Sequence, residues 1–224
     1  MILSYQKNFL FIHVPKTAGT SIRAALMPYS ERPDLLWENK LLSRIGIDVN
    51  HIGPYRRRRF RGHSRAMDLQ KNLPASVYDG LFKFAFVRNP WDLLVSLYSY
   101  IPSRPRHRMA SRVAAMTFDE FAREWSQRPE LSQRSFLYDT DGRCLMNYVG
   151  HFETLRSDFE DVCRHIGITA DLGHANGSRR GDYREMYSPE LMRLVGDRLA
   201  DDIETFGYDF DEGVKSRGSV RRAA

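Results

Sequence analysis

Phe9-Leu10-Phe11-Ile12-His13-Val14-Pro15-Lys16-Thr17-Ala18-Gly19-Thr20-Ser21 is the stretch that decides how this chain folds. Its first six residues are apolar or β-favouring apart from His13, and Pro15 ends the run, so a buried strand is predicted over 9–14. Ile22, Ala25 and Leu26 follow on one helical face, which predicts a helix over 19–27. A strand, a tight loop and a helix N-terminus make an anion cradle, because unsatisfied backbone N–H groups and the positive end of the helix dipole aim at one place. Small residues at 17–21 let the backbone approach an anion closely. Lys16 adds a mobile charge, and Thr20 and Ser21 add hydroxyl donors. This is not a Walker A loop, since Lys16 precedes Gly19 and no glycine opens the turn.

Working outward, Leu81 to Val87 reads as a second buried strand, halted by Arg88-Asn89-Pro90. A helix is predicted over 90–100, with Pro90 in the first turn, where its missing N–H costs little. Arg88 leaves the end of the strand and Ser96 sits on the second helical turn. The bend between them brings a guanidinium and a hydroxyl to one phosphate, or else Arg88 pairs with Asp92 and Ser96 merely fills space. Thr117-Phe118-Asp119-Glu120 is a capping box for a helix to about 126. A third strand is expected over 147–152 and an amphipathic helix over 154–166. Ser188-Pro189-Glu190 opens a last helix with Leu191, Leu194, Val195, Leu199 and Ile203 along its stripe. Strands alternating with helices imply a parallel sheet covered on both faces. Such sheets bind ligands beyond the carboxyl ends of their strands, here after Val14, Val87 and Phe152.

The 224 residues suffice for one α/β domain, expected over 1–211, with a mobile tail over 212–224 that has lost apolar periodicity. A hydrophobic content of 42% with 28% charged residues excludes disorder as the main state. No apolar stretch approaches the roughly 20 residues that cross a bilayer, and no secretory signal is evident at the start. Two cysteines, Cys144 and Cys163, make neither a disulfide framework nor a metal cluster, which suits a reducing, cytoplasmic setting. The net charge is +6, and 28 of the 34 cations are Arg. Guanidinium binds phosphate and sulfate bidentately, so anionic partners fit, as does plain compositional bias. The Arg56 to Arg61 run has three readings: a grip on an anionic sugar polymer, nonspecific nucleic-acid binding, or a solvated edge. Sequence-specific base readout would need a groove-entering motif, and none is present.

The loop from Phe11 to Ser21 resembles the 5′-phosphosulfate loop of carbohydrate sulfotransferases related to the heparan sulfate 2-O-sulfotransferases. Phe84 to Tyr98 resembles the 3′-phosphate segment of the same family, about 70 residues further on. Weaker resemblance runs through Gly150 to Phe159, Asn176 to Tyr187 and Phe206 to Phe210, while 28–60 carries no motif that can be placed. The resemblance implies a three-layer, P-loop NTPase-like fold with a central parallel sheet flanked by helices. It implies 3′-phosphoadenosine 5′-phosphosulfate (PAPS) as donor, adenosine 3′,5′-bisphosphate as product, a hydroxyl on a sugar, glycolipid or small metabolite as acceptor, and no metal. Lys16, Thr17, Ala18, Gly19, Thr20 and Ser21 would hold the phosphosulfate, and Arg88 and Ser96 the 3′-phosphate. Ser178 with Arg179 or Arg180 would close over the nucleotide. His63, between the two cofactor segments, carries over as the base that deprotonates the acceptor. His51 and Glu153 are its rivals, and His13 reads as a packing or loop-orienting residue. Two other readings stand beside this one: a P-loop-type nucleotide kinase, which would need Mg²⁺ ligands, and a noncatalytic polyanion- or nucleotide-binding module, which would not need His63.

Overall fold

Phe9, Leu10, Phe11 and Ile12 are fully buried, as are Phe84, Ala85, Phe86 and Val87. A strand whose successive side chains point to opposite faces can bury every residue only inside a sheet covered on both sides. The computed structural model describes residues 1–30, 37, 41, 43–45, 47–51, 57–173 and 181–214, with backbone alone over 47–51 and 57–61.

The chain begins with β1 (Ile2–Ser4), β2 (Phe9–Ile12) and α1 (Gly19–Leu26). An antiparallel hairpin follows, β3 (Ile47–His51) with β4 (Arg57–Arg61), and then α2 (Ala66–Asn72) and α3 (Ala75–Gly80). Next come β5 (Phe82–Val87), α4 (Pro90–Tyr100), α5 (Ala110–Ala114), α6 (Phe118–Trp125) and α7 (Arg134–Leu137). β6 (Tyr148–His151), α8 (Leu155–Ile166), α9 (Pro189–Arg198), α10 (Ala200–Phe206), β7 (Tyr208–Asp209) and β8 (Gly213–Val214) complete the order.

The main sheet runs β1-β2-β5-β6. β2, β5 and β6 are parallel, with Phe11 opposite Phe84 and Phe84 opposite Tyr148. This is the expected α/β architecture, with one addition: β1 pairs antiparallel on the edge of β2. Ile2 and Leu3 are buried, but three residues are too short a run to show a period. The hairpin was not foreseen either, because an arginine run reads as a solvated edge rather than a strand.

The described residues fall into two compact units, one drawn from 1–87 and 135–173, the other from 88–134 and 181–214. In the first, Ile22 and Leu26 of α1 and Leu155, Phe159, Val162 and Ile166 of α8 pack against Phe9, Phe11, Phe84, Phe86 and Tyr148. In the second, Trp91, Leu94, Phe121, Trp125, Leu191 and Val195 form the core of a helical cluster. The Thr117 capping box opens α6 as expected: its hydroxyl accepts from the Glu120 N–H at 3.3 Å, and the Glu120 carboxylate accepts from the Thr117 N–H at 2.8 Å. The last predicted helix is two helices, broken at Leu199, whose φ of −109° and ψ of 21° leave the helical region. Gly213 and Val214, inside the stretch read as tail, pair with β7.

Candidate active site

Between β2 and α1 the backbone turns twice into the left-handed region, at Lys16 (φ 66°) and at Ala18 (φ 61°). Neither is glycine, so each conformation is strained, by about 1–3 kcal/mol for such outliers. Alternating turns of this kind direct successive N–H groups inward as an anion-binding concavity. Ala18 is the N-cap of α1 and offers no side-chain cap, so the first N–H groups of the helix are not closed off by a hydroxyl. Thr17 is completely buried, and its hydroxyl donates to the Val14 carbonyl at 2.9 Å. Its hydroxyl therefore ties the loop back to the end of the strand from inside. Thr20 is exposed and Ser21 half-buried on the first turn of α1.

His13 follows β2 directly, and its ring lies 4.3 Å, centroid to centroid, from that of His63. His63 is exposed, and its Nδ1 is 2.9 Å from the His13 carbonyl oxygen. A carbonyl oxygen only accepts, so Nδ1 carries the proton and the neutral ring presents Nε2 as its basic nitrogen. Burial, reinforced by the field of His63, pushes the His13 imidazole down to about 2 and keeps it uncharged. Glu153 is exposed in the turn after β6. His51 ends β3, where only the backbone is described, paired with Arg57.

In the second unit, Arg88 is 4% exposed. Its Nε donates to Asp92 Oδ2 at 2.8 Å and its Nη2 to the same oxygen at 2.5 Å, which fixes the guanidinium plane. Asp92 and Ser96 are four residues apart on α4 and share a face. Ser96 is buried, so the pairing weighed from the sequence is formed and Ser96 lies one turn beyond it. The Asn89 side chain caps α4 by accepting from the Trp91 N–H at 3.0 Å.

The sequence reading missed the scaffold behind Arg88. Gln133 is 1% exposed; its Oε1 accepts from the Arg88 N–H at 2.8 Å, and its Nε2 donates to the Arg88 carbonyl at 2.7 Å. Asp202 in turn accepts from the N–H groups of Gln133 (2.7 Å) and Arg134 (2.9 Å) and from the Ser132 hydroxyl (3.2 Å). Burial raises the Asp202 carboxyl, and those three hydrogen bonds oppose the shift. One signal could have revealed it: Asp202 lies on the apolar stripe between Leu199 and Phe206, where a carboxylate needs partners. Ser178, Arg179 and Arg180 lie outside the described residues.

Residues 1–209 match the sulfotransferase family. The chain belongs to that family. Its fold is accordingly the P-loop-like α/β class of sulfotransferases, and sulfuryl transfer is the chemistry that membership carries. An uncharacterized protein of Archaeoglobus fulgidus is 23% identical over 130 residues, covering 53% of this chain and 95% of that protein. Among the described residues, no helix is long and apolar enough to cross a membrane.

Proposed function

We propose that this sulfotransferase moves the sulfuryl group of PAPS to an acceptor hydroxyl on a carbohydrate or glycoconjugate. The observation that carries the reading is the loop after β2, with its strained turns at Lys16 and Ala18 and a base candidate, His63, seated on the carbonyl of His13. PAPS supplies an activated sulfuryl group whose leaving phosphate gains charge as the bond breaks. Lys16 and the N–H groups of residues 17–21 are donors arranged in advance for that charge. Arg88, its guanidinium plane set by Asp92, takes the 3′-phosphate together with Ser96. Anchoring the donor away from its reacting end positions it for in-line attack. His63, protonated at Nδ1, takes the acceptor proton at Nε2 as the new S–O bond forms.

The test is to incubate the protein with labelled PAPS and a panel of acceptors, with and without EDTA, and to identify products by mass spectrometry. A sulfated acceptor formed equally in EDTA supports the proposal. Phosphorylation from ATP that needs Mg²⁺ would establish the kinase reading instead.

A further inference from the structure

The His13 ring occupies a place that the loop is built around. A β-carbon added at Gly19 would lie 1.8 Å from His13 Nε2 and 1.9 Å from its Cδ2, so any other residue there must displace the imidazole. Gly19 is the first residue of α1, and its smallness makes room for this ring in addition to any room for an anion. On one side the ring stacks toward Phe11, with centroids 6.0 Å apart and planes 22° from parallel. On the other it meets the ring of His63, whose Nδ1–H is held by the carbonyl of the same residue. His13 thus touches the start of α1 with its ring and His63 with both ring and backbone. Two imidazoles this close cannot both take a proton cheaply, and burial together with the field of His63 holds His13 neutral.

We infer that His13 is a positioning residue for both the base and the donor loop: its carbonyl holds the Nδ1–H of His63, and its ring, lodged against the start of α1 at Gly19, backs the His63 ring. A filler in the core would have no reason to sit against both. The inference rests on His63 as the base for its catalytic consequence, whereas its geometric content stands apart from that reading.

The experiment has a spectroscopic arm and a kinetic arm. Imidazole ¹⁵N–¹H spectra of the wild-type protein, with His63 assigned from the signals missing in His63→Ala, are expected to show His63 as a single Nδ1–H tautomer. In His13→Ala the carbonyl remains, but without the ring behind it the His63 imidazole should swing off that acceptor and show a second, Nε2–H population, while the protein stays folded by circular dichroism. In turnover with PAPS, His13→Ala should lose about 10- to 100-fold in kcat, the scale of a misplaced catalytic group, with a smaller change in acceptor KM. Gly19→Ala should weaken binding of adenosine 3′,5′-bisphosphate. Adding His13→Ala to it should restore most of that affinity, because the vacated ring space accepts the new methyl group. An Nε2–H tautomer of His63 in the wild type overturns the inference, and needs no variant to fold. So does a His13→Ala protein with unchanged tautomer and kcat, or a double variant no better than Gly19→Ala alone. If His63→Ala turns over normally, the base assignment fails by itself, and the tautomer measurements still decide the role of His13.

Discussion

The loop around Lys16 and the segment around Arg88 hold their charges in opposite ways. The loop works through backbone: two residues forced into left-handed turns, an uncapped helix start, and a threonine hydroxyl bonded back three residues to Val14. Arg88 works through side chains brought from far along the chain. Gln133, 45 residues away, closes on both polar groups of its peptide backbone, and Asp202, 69 residues beyond Gln133, holds that amide in turn. A backbone cradle is set by consecutive residues and tolerates change except where small size is needed. A side-chain anchor depends on a relay, and can be weakened at any member of it.

The largest effect should come from the first region. His63→Ala is expected to lower kcat by about 10²–10⁴-fold, the usual loss for a general base, while nucleotide affinity stays near wild type. The wild-type rate should fall as pH drops through the imidazole range, because a protonated ring cannot accept the acceptor proton, and His63→Ala should lose that limb. Lys16→Ala should weaken nucleotide binding and slow turnover together, since the proposed function gives Lys16 the donor to hold. Paired pH–rate profiles and nucleotide titrations separate the two residues. A near-normal rate for His63→Ala would move the base elsewhere, with His51 and Glu153 next in line.

The second region should give a smaller effect, on binding. Adenosine 3′,5′-bisphosphate should bind more tightly than AMP by roughly ten- to a hundredfold, the yield of a charge-assisted contact worth about 1.5–3 kcal/mol. Arg88→Ala should erase most of that preference. Gln133→Ala should erase part of it, and should also cost about 1–3 kcal/mol of stability, because two buried backbone groups of Arg88 lose their partner. Calorimetry and thermal melts read both quantities. Equal affinity for the two nucleotides in the wild type would remove the 3′-phosphate assignment. A Gln133→Ala protein with unaltered preference would show that Arg88 needs no relay.

The same contrast explains what could be read from the sequence. β2, α1, β5, α4, β6 and α8 were legible because each is an unbroken apolar or amphipathic run closed by proline, a cap or glycine. The places of Lys16 and Arg88 in the fold were legible too, because both follow the ends of such runs. β1 was not, because three edge residues carry no period, and neither was the β3–β4 hairpin, whose arginines mask the strand pattern. Gln133 was invisible, since nothing in its neighbours marks a polar side chain that serves a residue 45 positions earlier. His13 could be placed by its strand but not given a partner, because its contact with His63 spans 50 residues.

The smallest expected effect tests how firmly the first region is built. Burial holds the folded His13 imidazole at about 2, whereas an unfolded chain titrates near 6.5. At pH 7 both states are mostly neutral there and His13 contributes little pH dependence. As pH falls below about 6.5 the unfolded state takes up a proton that the folded state refuses, so stability is lost at up to about 1.4 kcal/mol per pH unit. His13→Phe keeps a flat ring and removes the titrating nitrogen. Denaturant unfolding of both proteins at pH 7 and pH 5.5 should therefore show the wild type losing about 1 kcal/mol more than His13→Phe over that interval. Parallel losses would mean that the folded protein protonates His13 readily. The ring would then be open to water, Gly19 would not be closed over it, and the loop would owe its shape to backbone strain at Lys16 and Ala18 without the histidine beneath it.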